Sequence, residues 1–142
     1  MIDVAFSISS LLALVAWLVL IAFPSWRIVR QRVIGIYVPA LFASAYSLLF
    51  PALYFQSPGG FSSVSDLTVL LTSHPAIVLA AWLHYLAFDL LIGKMIVDDA
   101  QDRQIPHYFI IIPLVCCFLF GPLGLLMFIL LRQFAVRERP CA

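Results

Sequence analysis

Charge is what this sequence has least of. Lys, Arg, Asp and Glu make up 11% of its 142 residues, where a soluble domain carries about a quarter. The formal net charge is +1, so there is no broad field of one sign, and nucleic acid is excluded as a natural partner. Cysteine is scarce as well. Cys116 and Cys117 are adjacent inside an apolar run and Cys141 is near the end. Neighbouring residues rarely bridge, and no CxxC or His/Cys spacing suggests zinc, so these read as small apolar fillers and a tail thiol. No Lys or Arg precedes the first apolar run, and Ala22-Phe23-Pro24 is a poor cleavage site. The run therefore reads as a permanent span rather than a removed leader. There is no internal repeat, low-complexity tract or polar stretch long enough for a soluble domain.

What remains is apolar. Hydrophobic residues make up 64% of the chain and mean hydropathy is +1.09. A particle this small buries only part of its surface, so the excess must face lipid. Four runs approach the ~20 residues that cross a bilayer: Ala5–Phe23, Ile34–Phe55, Pro75–Val97 and His107–Phe134. Each must satisfy its own backbone in hydrocarbon, which requires helices. The expected fold is all-α, one integral membrane domain over 1–142 built as a bundle of four transmembrane helices.

The connections are short. The first holds Trp26, Arg27, Arg30 and Arg32; the second, from Gln56 to Ser73, has no basic residue; the third, Asp98–Pro106, is acidic with Arg103. Four crossings with the positive-inside rule place both termini on the non-cytoplasmic side. Arg132, Arg137 and Arg139 in the tail oppose that placement. Two half-helices meeting at Gly121-Pro122 would return the tail to the other face. A single kinked, tilted helix over 107–134 is the simpler expectation, because an exposed break in lipid is costly. Pro51 should bend the second span near its end, and Ser73-His74-Pro75 reads as a helix start.

The third span carries the chemistry: Trp82-Leu83-His84-Tyr85-Leu86-Ala87-Phe88-Asp89. His84 and Asp89 fall near its midpoint. A carboxylate at the bilayer centre costs at least ~2.5–3.5 kcal/mol, so both groups are expected to face the bundle interior, paired or neutral. They are ~7.5 Å apart along the axis and ~140° around it, which makes them poor direct partners. Tyr46, Ser44 and Ser47 on the second span lie at similar depth, and Tyr85 shares the face of Asp89. One reading makes His84 and Asp89 interhelical hydrogen-bond glue; the other makes them substrate- or proton-handling groups. Trp82 and Phe88 read first as packing or lipid contact.

Asp98-Asp99-Ala100-Gln101-Asp102 has the DDxxD form that can hold Mg²⁺ against a diphosphate. It occurs once, and a solvated acidic cap is the plainer reading, so no metal site is assigned. Arg27, Arg30 and Arg32 read as topology determinants and anionic-lipid contacts.

Three blocks carry a family resemblance: Trp82-Leu83-His84-Tyr85-Leu86-Ala87-Phe88-Asp89-Leu90-Leu91-Ile92-Gly93, then Ile105-Pro106, then Phe120-Gly121-Pro122-Leu123-Gly124-Leu125-Leu126. Through them the stretch Phe61–Arg132 resembles the abscisic-acid-deficient 4-like family, whose plant members are linked to neoxanthin synthesis. The first sixty residues match only as apolar spans. The resemblance implies a multi-span membrane protein acting on, or needed for acting on, an epoxy-carotenoid or related isoprenoid. A long transit-like extension is lacking, which suggests a bacterial inner membrane. Rearranging an epoxide to an allenic alcohol needs an acid and a base but no cofactor. Asp89 is the candidate acid and His84 the candidate base, with the roles exchangeable. Trp82, Tyr85, Phe88 and Tyr46 are the candidate binding residues, and substrate would enter sideways from membrane lipid. The alternative is a non-catalytic membrane subunit or carotenoid-binding partner, alone, as a homo-oligomer or beside a membrane enzyme. A transporter is a distant third, since one span alone holds central ionisable groups.

Overall fold

The computed structural model describes residues 1–137, with side chains described to Phe134. Arg139 and Cys141 lie outside the described residues. The secondary structure of the described residues is all helical: α1 (Ile2–Ala22), a π-helical stretch (Val29–Tyr37) that runs directly into α2 (Val38–Tyr54), α3 (Val64–Ser73), α4 (Pro75–Asp102), α5 (His107–Phe120) and α6 (Pro122–Arg137). Among the described residues three rods are long and apolar enough to cross a membrane: Ile2–Ala22, Val29–Tyr54 and Pro75–Asp102. The place of the fourth span is taken by the shorter pair α5 and α6.

The central rod is α4. Its apolar stretch is 56% buried, against 28% for α1 and 22% for the α2 rod, so the other helices pack around it. Gly93 lets α1 approach closely. A Cβ there would stand 2.5 Å from the Trp17 ring, and Trp17 is the largest of the fully buried side chains. Val38, Phe42, Leu83, Leu86 and Leu90 belong to the same core.

The start of α4 follows the sequence reading. The His74 ring Nδ1 accepts from the Ala76 amide at 3.1 Å, and Pro75 occupies the first turn, where its missing N–H costs nothing. The segment before it differs from expectation. Residues read as loop include the helix α3, whose first turn is capped by Ser63 Oγ accepting from the Asp66 amide at 3.0 Å. A Ser followed three residues later by an acid is a start signal, but the ten-residue helix is too short to register as a span. Gly59 packs beneath it in the left-handed region at φ 86°, with no room for a Cβ beside the Asp66 carbonyl.

The last run is not a single kinked helix. It breaks at Gly121, where φ is 47° and ψ is −93°, and the chain folds back on itself. A Cβ at Gly124 would lie 2.1 Å from the Cys117 amide nitrogen and 2.3 Å from the Pro113 carbonyl. Residues seven and eleven apart meet this way only in an antiparallel hairpin, since one helix would hold them ~10 and ~16 Å apart. Helix α5 starts where His107 Nε2 meets the Ile21 carbonyl at 2.7 Å, at the end of α1. Helix α6 returns to the same end, where Arg132 Nη1 donates to Asp99 Oδ2 at 3.2 Å. Fourteen residues of α5 reach about 21 Å, short of the ~30 Å hydrocarbon layer. A break is costly where it faces lipid. Gly121 is instead buried against α4, the one setting in which non-helical backbone is tolerated at membrane depth.

The hairpin offers a second topology, in which only the three long rods cross. With three crossings and a re-entrant pair, Arg27, Arg30, Arg32, Lys94, Arg103 and Arg132 all gather at one end, and Asp3 and Asp66 at the other. For that topology the positive-inside rule predicts the N-terminus outside and the end of the hairpin inside, where four crossings predict both termini outside. Labels placed at residue 103 and after residue 142 should react from the same side, and a label before residue 1 from the opposite side. Labelling of 103 and 142 from opposite sides would restore a fourth complete crossing. Gly124→Ala should cost about 1–3 kcal/mol of stability through overpacking, read as a lower unfolding temperature in detergent.

Candidate functional site

The tip of the hairpin meets α4 at its middle. Asp89 is buried at 4% exposure, and its Oδ1 accepts from the Cys117 thiol on α5 at 3.7 Å. A Cβ at Gly121 would stand 3.5 Å from that same Oδ1 and 3.8 Å from the Tyr85 hydroxyl. Asp89 and Tyr85 lie one helical turn apart on α4, so both oxygens converge on the break. The cluster joins an acceptor, a phenolic donor and a thiol at a point where side-chain bulk is missing. Asp89 thus faces the interior with a partner on the last apolar run, as its energetic cost in lipid demands.

Aromatic rings lead outward from this cluster. Trp82 stacks on Tyr85 with centroids 5.4 Å apart, and Phe6 of α1 lies 5.2 Å from Trp82 on its other side. The indole N–H is satisfied by Ser10 Oγ at 3.0 Å, which fixes the ring between α1 and α4. These residues, with Leu71, Val78 and Ala81, line an apolar groove of about 380 Å³. A second hollow shares Phe6, Leu71 and Val78 and continues towards Asp3 and Thr72. Together they form a lipid-side path from the non-basic end of the bundle to Tyr85.

His84 is not part of this arrangement. It is exposed on the outer face of α4, with the ring of Phe88 at 4.7 Å and that of Tyr46 at 5.4 Å. The expectation that both ionisable residues point inwards holds for Asp89 and fails for His84. The cause is the ~140° between them: α4 buries Leu83, Leu86, Ala87 and Leu90, and a helix that places Asp89 inside turns His84 out. Tyr46 continues outwards into a stack with Phe50 at 5.2 Å. Of the six candidate residues, Asp89, Tyr85 and Trp82 come together, and His84, Tyr46 and Phe88 form a separate surface cluster.

Sequence reasoning passed over Cys117, read as filler, and Gly121, read as a kink. It also misjudged the polar end of α4. Asp98 is held by Arg30 Nε at 2.9 Å and Lys94 Nζ at 2.7 Å, and Asp99 by Arg103 at 2.8 Å and Arg132 at 3.2 Å. These two carboxylates knit helices together rather than forming a solvated cap. Arg30 is 4% exposed, not a lipid contact. Its guanidinium donates to Asp98, to Gln101 Oε1 at 2.7 Å and to the Pro24 carbonyl. An arginine in a basic loop gives no sign of burial until Asp98 and Gln101, 68 and 71 residues on, are placed beside it.

A family model described as ABA DEFICIENT 4-like matches residues 4–128. The chain belongs to this family. The match reaches back through α1 and α2, which the sequence motifs had covered only as apolar runs, and includes the α4 site and the hairpin tip. It sets the ABA DEFICIENT 4-like chain in a membrane, in accord with its three span-length helices; a bacterial source is not borne out. No curated protein and no solved structure matches the chain.

The contact between Cys117 and Asp89 is open to test. Cys117→Ala removes the thiol donor from a buried carboxylate and should cost about 1 kcal/mol, while Cys117→Ser keeps a donor of similar size. Unfolding temperatures in detergent should place the Ala variant below the Ser variant. Equal values would show that the contact adds nothing to stability.

Proposed function

We propose that the chain is a cofactor-independent isomerase that opens the epoxide of an epoxy-carotenoid, or of a related membrane isoprenoid, to an allenic alcohol. The observation that carries this reading is the convergence of the Asp89 carboxyl and the Tyr85 hydroxyl on the bare backbone of Gly121, at the inner end of a lipid-side aromatic groove. Family membership supports the substrate class.

The reaction needs one proton taken and one given. A proton leaves the carbon beside the epoxide, and its C–H electron pair becomes the new double bond of the allene. The adjacent C–O bond breaks towards oxygen, and the oxygen receives a proton. Atoms and electrons balance with no oxidant or metal. In the proposed assignment Asp89 takes the proton from carbon and Tyr85 donates to the oxygen. His84, the base on sequence grounds, stands on the outer face, so Tyr85 replaces it as the second member of the pair. Cys117 holds the carboxyl in place. The groove is apolar, as a polyene requires, and its rings at Phe6, Trp82 and Tyr85 offer faces to stack on.

Pigments extracted from cells that supply an epoxy-carotenoid and express each variant test the proposal. Asp89→Asn and Tyr85→Phe should each lower the allenic product at least about 100-fold, the usual scale of acid–base catalysis, while membrane protein still accumulates. His84→Gln should leave product near normal. Near-normal product from Asp89→Asn would end the catalytic reading and favour a non-catalytic membrane subunit that assists another enzyme.

A further inference from the structure

The basic end of the bundle holds a polar hollow of about 390 Å³, far from the Asp89 site. Its walls come from two regions distant in sequence. Arg27, Arg30 and Gln31 contribute from the start of the second rod, and Asp98, Gln101 and Asp102 from the end of α4. Arg30 is more than nine-tenths buried and fixed by three acceptors. Asp98, which lines the same hollow, compensates its charge. Arg27 and Asp102 are both exposed, and neither side chain has a partner among the described residues. Among the described residues the hollow therefore offers one uncompensated cation, at Arg27, and one uncompensated carboxylate, at Asp102.

We propose that this hollow binds a phosphoethanolamine group, the zwitterionic headgroup of an aminophospholipid of the surrounding membrane. The phosphate would lie against Arg27, whose guanidinium presents planar donors to its oxygens, and the ammonium against Asp102. Two observations favour a lipid over a free phosphate ester. The hollow sits at the ends of two spanning rods, the depth of the headgroup layer. Beside it Phe23 and Trp26 stack at 4.7 Å and are about half exposed, at 47% and 52%. Such an aromatic pair suits the boundary between headgroup and acyl chain. A headgroup without an amine would leave Asp102 facing phosphate oxygens.

The test is native mass spectrometry of the full chain released from nanodiscs containing equal parts of phosphatidylethanolamine, phosphatidylcholine and phosphatidylglycerol. The wild type should keep phosphatidylethanolamine in preference to the other two. Arg27→Gln should lower that retention about fivefold, the worth of one basic side chain near a lipid phosphate. Asp102→Asn should move the preference towards phosphatidylglycerol. Both positions are exposed, so neither change threatens folding. Equal retention of the three lipids by the wild type, or unchanged retention in both variants, would overturn the proposal. Displacement of the lipid by millimolar O-phosphoethanolamine in solution would overturn the membrane as the ligand's source.

Discussion

Every backbone amide and carbonyl in hydrocarbon must find its partner within the protein, and the bend at Gly121 is where this chain meets that constraint most severely. A turn at that depth survives only if protein surrounds it. Helix α4 supplies one wall with Tyr85 and Asp89, and α5 supplies the other with Cys117. The Gly121 amide is held by the Cys117 carbonyl at 2.6 Å, and its carbonyl accepts from Gly124 at 3.1 Å. The polar cluster is thus tied to the architecture: the break that needs shelter and the carboxylate that needs shelter share one pocket of protein.

The opposite end of α4 holds the outer pieces. Asp98 grips the second rod through Arg30, and Asp99 grips the hairpin through Arg132. Neighbouring carboxylates on one helix end therefore set the positions of two different elements. Exposed ion pairs contribute little to stability, but the Arg30 pair is largely withdrawn from solvent and hydrogen-bonded on three sides. Removing one member strands a buried charge, which costs more than the pair itself contributes. The π-helical stretch that begins at Val29 carries Arg30 into this position, and such departures from α geometry gather at sites with a particular task.

Much of the fold was legible because lipid imposes a simple rule. Long apolar runs had to be helices, and α1, the second rod and α4 follow from Ala5–Phe23, Ile34–Phe55 and Pro75–Val97 with extended ends. Asp89 was legible because a charge at mid-span has few tolerable places. The remainder depended on tertiary contact. The pairing of Gly124 with Cys117 and Pro113 decides between a kink and a hairpin, and no local pattern reports it. His84 and Asp89 look alike by depth, and only the rotation of α4 against its neighbours separates them. Arg30 and Asp98 are sixty-eight residues apart, so neither announces the other along the chain.

The distribution of charge also bears on how the protein is made. With the three long rods as the crossings, the stretch opposite the basic end is the one that includes α3, and between Tyr54 and Pro75 it contains Asp66 but no Lys or Arg. On the same topology no basic residue from Lys94 to Arg132 has to be translocated, since the hairpin begins and ends at one end of the bundle. Neither half of the hairpin is long enough to be retained by itself as a crossing. Its hold on the bundle comes through α4, at Asp89 beside the tip and at Asp99 beside the far end, so the hairpin and the polar cluster stand or fall together.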